Sequence, residues 1–154
     1  MKFNTHTALI AVAAALLLFP IISQSGTTPA ERVVSYYQRS EENYAAYNFL
    51  QAMDSGNYVS LWKKNSPIAK NGLTESSWTT TLVNIRKIFG LYKDGIEERY
   101  DFSSQMSNGE KGTFYALIFK PQFSTLTAEE KIILSYENSE WKLAGYFIKT
   151  YSAK

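Results

Sequence analysis

The chain has 154 residues, 45% of them apolar and 15% aromatic, with a formal net charge of +2. That length suits one domain with a sizeable core, and the near-balanced charge argues against a nucleic-acid binder, which would carry a clustered basic surface. There is no cysteine, so disulfides, thiolate metal sites and cysteine nucleophiles are excluded too.

The first segment reads as an address. Met1-Lys2 gives a positive start, Ala8–Phe19 is an unbroken apolar run, Pro20 breaks it, and Ser23-Gln24-Ser25 offers small residues where a signal peptidase cuts. Cleavage is expected after Ser25, with Ser23 as the alternative. The competing reading is an uncleaved inner-membrane anchor. Even extended to Ile22 the apolar stretch is 15 residues, short of the ~20 that a spanning helix needs. The expected organisation is therefore a leader, 1–25, and a single domain, 26–154, in the periplasm or outside the cell. With no cysteine beside the cleavage site, a lipid anchor there is excluded.

Removing the leader removes His6, the only histidine, and Lys2; 15 basic and 14 acidic residues then leave a net charge of +1. Within one mature chain a serine–histidine–acid triad and a histidine-ligated metal are impossible. Acid–base chemistry would have to come from Asp, Glu, Lys or Tyr. No metal or cofactor is expected.

Thr28-Pro29-Ala30-Glu31 reads as a capping box with proline at the first helical position. A helix is predicted from there, rephased near Ser40, through Tyr44, Tyr47, Leu50 and Met53, and ended by Asp54-Ser55-Gly56. Asn57–Lys64 is a second helix, stopped by Asn65-Ser66-Pro67. Thr74 then caps a helix whose Trp78, Leu82, Ile85 and Phe89 form one apolar stripe, closed by Gly90.

After Asp94-Gly95 the period becomes two. Ile96, Glu98, Tyr100 and Phe102 alternate with Glu97, Arg99, Asp101 and Ser103, the pattern of a half-buried strand. Ser107–Glu110 is a hairpin turn around Asn-Gly. Thr113–Lys120 is apolar on both faces and reads as a central strand. Pro121 and Ser124–Thr127 form a longer connection, Lys131–Glu137 a third strand, and Glu140–Thr150 a fourth. The fold class is α+β: N-terminal helices packed on a four-stranded antiparallel meander.

Several residues carry a family resemblance. Asp54-x-Gly56-x-Tyr58-x-x-x-Trp62, then Trp78, Arg86 and Gly90, then Trp141-x-x-x-Gly145-Tyr146-Phe147-Ile148 resemble the domain-of-unknown-function family 4019, exported bacterial proteins. The likeness runs from about Glu42 to Lys149. It implies a layout similar to the cone-shaped superfamily of nuclear transport factor 2 and ketosteroid isomerase, and it carries no catalytic residue with it. Such folds host both enzymes and pure binding modules.

Candidate site residues have two readings each. Asp54 and Gly56 are either functional or a helix cap and its turn. Tyr58, Trp62, Trp78 and Arg86 are the candidate ligand-binding set, although tryptophans more commonly anchor cores. Arg86 lies off the apolar stripe, so it faces solvent or curls over the cone's mouth. Glu98 shares a face with Ile96, Tyr100 and Phe102; it is either a desolvated general base, with Tyr100, Tyr115 or Tyr136 as hydrogen-bond donors, or a charge on an edge strand.

Alternation puts Tyr115, Leu117 and Phe119 on one sheet face and Phe114, Ala116 and Ile118 on the other. Helices cover one face, and a second copy is the economical cover for the other, so a homodimer is expected. The functional expectation is a non-enzymatic exported module binding an envelope protein or a small apolar ligand. The alternative is an isomerase or dehydratase acting on a small hydrophobic substrate.

Overall fold

Among the described residues the first helix is capped by Ser40, not by Thr28. A computed structural model describes residues 11–13, 28–33 and 40–151 of the protein. Thr28–Val33 runs without regular structure, because its backbone donors are engaged elsewhere: Ala30 N–H donates to the Tyr92 carbonyl and Arg32 N–H to Gln51 Oε1. The helix expected from Pro29 is corrected accordingly; its stretch over 34–39 lies outside the described residues. Helix α1, Glu41–Asp54, opens with the Ser40 side chain accepting from Asn43 N–H and ends beside Gly56 at φ 76°. Its buried stripe, Asn43, Ala46, Tyr47, Leu50 and Met53, continues at helical spacing into Asp54.

Helix α2, Tyr58–Lys64, follows as expected. Asn65-Ser66-Pro67 then starts a further turn, α3 (Pro67–Lys70), capped by Ser66 Oγ with Pro67 at its first position. Helix α4, Glu75–Phe89, has a reciprocal capping box between Thr74 and Ser77, and its stripe Trp78, Leu82, Ile85 and Phe89 is buried as the spacing requires.

Four antiparallel strands succeed the helices: β2 (Tyr92–Gln105), β3 (Lys111–Phe123), β4 (Ala128–Glu137) and β5 (Glu140–Thr150). The Asn-Gly hairpin joins β2 to β3, with Met106 N–H donating to the Glu110 carbonyl. Asn138 and Ser139, both left-handed at φ 52° and 64°, turn β4 into β5. A short strand β1, Ala11–Ala13, lies parallel to Phe147–Lys149 at the β5 edge, making the order β1-β5-β4-β3-β2. The remainder of the expected leader, including the expected cleavage positions Ser23 and Ser25, lies outside the described residues. No helix among the described residues is long and apolar enough to cross a membrane.

Two strands run further than their apolar cores. β3 continues past Pro121, which pairs with Gly95, and β4 begins at Ala128, three residues before Lys131. The second extension matters, because it brings Glu130 into the sheet.

The inner sheet face carries Tyr115, Leu117, Phe119, Ile132, Leu134, Leu143, Tyr146 and Ile148, packed against α1, α2 and α4 in one core. On the outer face Phe114, Ala116, Ile118 and Ile133 are buried within the single chain, and Ile68 of α3 packs against Ala116, Ile133 and Ala144. The premise behind the expected homodimer, an apolar face that this chain leaves uncovered, does not hold over that patch.

Candidate functional site

Five side chains meet inside the helix-covered face: Arg32, Asp54, Arg86, Glu130 and Tyr146. The Arg32 side chain is fully buried, and its fork grips Asp54 through Nε to Oδ2 at 2.5 Å and Nη2 to Oδ1 at 3.2 Å. Its Nη1 donates to Glu130 Oε2 at 2.7 Å. The guanidinium carbon sits 4.1 Å from the Tyr92 ring centre, a cation–π contact in a desolvated place. Arg86 approaches from α4: Nη2 lies 2.9 Å from Asp54 Oδ1 and 3.4 Å from Glu130 Oε1, and its guanidinium lies over Phe123 at 5.0 Å. Tyr146 closes the group, donating its O–H to Glu130 Oε1 at 2.5 Å.

Two cations and two anions make the cluster neutral, which is how such charge survives burial. Burial opposes ionisation of Arg32, but Glu130 and Asp54 outweigh it and hold the guanidinium above its ordinary range. Arg86 is raised in the same way, burial being offset by Tyr146, Glu130 and Asp54. For Glu130 burial pushes upward, yet Arg32, Arg86 and the Tyr146 hydrogen bond prevail and lower it. Asp54 is raised, because there burial outweighs the pull of Arg32 and Arg86. Burial also carries Tyr146 well above the usual phenol value. The cluster is therefore a set of buried charges that pair with one another, each carboxylate facing at least one guanidinium.

Asp54 does not cap α2, whose N-cap Asn57 makes no side-chain cap bond; its carboxylate turns inward to the two arginines. Arg86, expected at solvent or over a mouth, is in the interior with a side chain 12% exposed. Its Nε, like the Trp78 indole N–H, has no hydrogen-bond partner among the described residues. Trp78 is a core residue 6.1 Å from Trp62, which is half-buried beneath Lys70. Tyr58 is buried beside the cluster, where burial raises its hydroxyl against the opposing effect of Arg86. Of the candidate ligand-binding set, the structure brings Arg86 and Tyr58 to one place and leaves the two tryptophans in the α2–α4 packing.

Glu98 is on the surface, paired with Lys120 at 2.7 Å, and Lys120 holds its carboxyl below the usual value. The reason is a bulge. Glu97 pairs with Phe119 but Arg99 with Ile118, so the register slips at Glu98 and the strand's faces exchange. The common face expected for Ile96, Glu98, Tyr100 and Phe102 is corrected: Ile96 is 67% exposed, while Glu97, Tyr100 and Phe102 share the inner face with Phe119, Leu117 and Tyr115.

That exchange assembles a second region. Tyr100 stacks on Tyr115 at 6.0 Å, Phe102 tilts against Tyr115 at 5.0 Å, and Trp141 joins Tyr115 at 6.2 Å and Tyr136 at 5.0 Å. Tyr115 is buried and donates its O–H to Asn43 Oδ1. Tyr100, Phe102 and Tyr136 remain 56%, 51% and 44% exposed. Glu97 borders this region, accepting from Tyr47 O–H at 3.4 Å, and burial raises its carboxyl. Three of the four residues proposed for an enzyme, Tyr100, Tyr115 and Tyr136, thus meet around rings, without Glu98.

Sequence reasoning missed Glu130, Arg32 and Glu97 as site residues. Glu130 had a signal: it stands two residues before Ile132, on the same face of an extended strand. Arg32 had none, since its contacts reach across 22 and 98 positions.

The architecture defines an α+β protein with helices laid on a four-stranded antiparallel sheet. Residues 45–146 match the family model described as "Protein of unknown function (DUF4019)", and the chain belongs to that family. No curated protein matches it. Among solved structures it is similar to a "putative dehydratase from the NTF2-like family" of Streptomyces avermitilis, at 11% identity and TM-score 0.47 over 73% of this chain and 95% of that one. It is also similar to a "Putative Scytalone Dehydratase" of Novosphingobium aromaticivorans, at 11% identity and TM-score 0.44 over 74% and 87%.

Proposed function

We propose that this protein is an exported, non-enzymatic binding module of the bacterial envelope, whose contact surface is the aromatic cluster of Tyr100, Phe102, Tyr136 and Trp141. One observation carries the reading: rings stacked and tilted around Tyr115 and Trp141 leave Tyr100, Phe102 and Tyr136 about half exposed to solvent. Tyrosine and tryptophan give large contact area at low entropic cost and a polar tip, which suits a protein partner or a small apolar ligand. The interior cluster supports it from the other side, since both of its carboxylates are already engaged by guanidinium groups. The leader argues for export: a positive start, an apolar run too short to span, and small residues at the cut.

Glu97 favours a second reading. A half-buried carboxyl raised by burial, beside Tyr47 and electrostatically coupled to Tyr115, has the makings of a general base for an isomerase or dehydratase.

Native mass spectrometry of the protein released gently from its own envelope tests both. A mature chain beginning at Gly26 and carrying a bound species supports export and binding. The Tyr100→Ala/Phe102→Ala variant should lose that species while melting near the wild-type temperature. Glu97→Gln should leave the bound mass unchanged if the module only binds; retention of a species that the wild type converts would favour the enzyme. A chain starting at Met1 that stays with the membrane would overturn the export reading.

A further inference from the structure

The Arg32 guanidinium is held as a ligand is held, and what holds it lies in a different part of the chain. Asp54 takes two of its nitrogens side by side, Glu130 takes a third, and the Tyr92 ring lies against its face at 4.1 Å. This is recognition of a planar fork; an ammonium group has neither the spread nor the flat face to satisfy all of it. Without Arg32, the cavity wall would hold two carboxylates against one fixed cation, Arg86, leaving one negative charge to be balanced.

The residue that balances it comes from a strap. Thr28–Val33 has no regular structure, and its described backbone hydrogen bonds to the body are Ala30 N–H to Tyr92 and Arg32 N–H to Gln51. Asp54, Arg86, Tyr92, Glu130 and Tyr146 all fall within the family-matched residues 45–146, whereas Arg32 falls outside them. The receptor thus lies within the family-matched region, and the occupant in the segment leading into it.

We propose that Asp54, Glu130 and the Tyr92 ring form a binding site for a monosubstituted guanidinium, with Arg32 as its resident occupant and the strap as a built-in plug. A guanidinium offered in trans enters when Arg32 is absent. With Arg32 present it is outcompeted, because a tethered group acts at an effective concentration of about millimolar or higher. The proposal concerns the interior and stands apart from the aromatic surface proposed above.

The test uses the full mature chain with Arg32→Ala, melted with and without methylguanidinium, against methylammonium chloride at equal ionic strength. Methylguanidinium should raise the melting temperature of the variant by about 4 °C or more at saturation. The wild type should show no rise, and Arg32→Ala/Glu130→Gln should lose the response. N-acetylarginine methylamide, in a parallel arm, asks whether the guanidinium can arrive on a peptide: a rise assigns the site to arginyl segments, and no rise confines it to small guanidines. If Arg32→Ala does not fold alone, the readout becomes recovery of folded protein on refolding with methylguanidinium, and recovery supports the site. An equal response to methylammonium, an equal response from the wild type, or no response from the variant by either readout overturns the proposal.

Discussion

Glu130→Gln probes the interior cluster most directly. The substitution keeps the shape of the side chain and removes its charge, leaving Arg32 and Arg86 to share Asp54 alone. Glu130 and Arg32 are fully buried, and Arg32 loses its 2.7 Å partner while Tyr146 loses the carboxylate it donates to at 2.5 Å. Breaking a buried pair by removing one partner costs about 3–5 kcal/mol, because the remaining charge stays desolvated. Against a total stability of roughly 5–15 kcal/mol that is a large fraction, equivalent to a fall in melting temperature of roughly 10 °C. A double-mutant cycle separates attraction from packing. Arg32→Met and Glu130→Leu should each be costly alone, while the double variant, which leaves Asp54 and Arg86 matched one to one, should cost at least about 2 kcal/mol less than their sum. The assay is urea denaturation of all four proteins. A loss under about 1 kcal/mol for Glu130→Gln, or additivity within about 0.5 kcal/mol in the cycle, would refute the account of the cluster as mutually dependent charges.

Three further outcomes are expected. Acid stability should depend on the two carboxyls with opposite signs. Glu130 has a folded pKa lowered from 4.5, so its contribution is complete above that value and is lost as the pH falls through the folded pKa. Asp54 has a folded pKa raised from 3.8, so its protonation on acidification favours the folded chain. Melting curves between pH 6 and pH 3 should therefore fall less steeply for Glu130→Gln than for the wild type, and more steeply for Asp54→Asn. Gly90→Ala should destabilise by about 2 kcal/mol or more, since Gly90 has φ 80° and an added Cβ would lie 2.1 Å from Ser124 Oγ, the group that accepts from Leu91 N–H; a change under about 0.5 kcal/mol in urea would contradict this. Ser139→Gly should stabilise by about 0.5 kcal/mol, because Ser139 holds φ 64° at the second position of a two-residue hairpin turn, and an unchanged or lower melting temperature would count against that turn.

The sequence by itself determined the elements whose signals are local. The Trp78–Phe89 stripe, Thr74 as cap, the Asn-Gly hairpin and the alternation of Tyr115, Leu117 and Phe119 depend on neighbours three or four residues away, or two, and each is where its spacing put it. It also narrowed what chemistry is available, since the chain has no cysteine and its one histidine is His6. Tertiary structure decided the rest. A one-residue bulge at Glu98 exchanged the faces of β2, because strand alternation has a period of two and a single slip moves every side chain across. Asp54 and Arg86 sit at the margins of their helices' apolar stripes, positions that local periodicity leaves open to solvent or to core. What drew them inward was Glu130 and Arg32, residues so distant in sequence that only the closed fold brings their charges within hydrogen-bonding reach. Burial of a charge requires an opposite charge in place, and that pairing is a property of the folded molecule rather than of any segment of it.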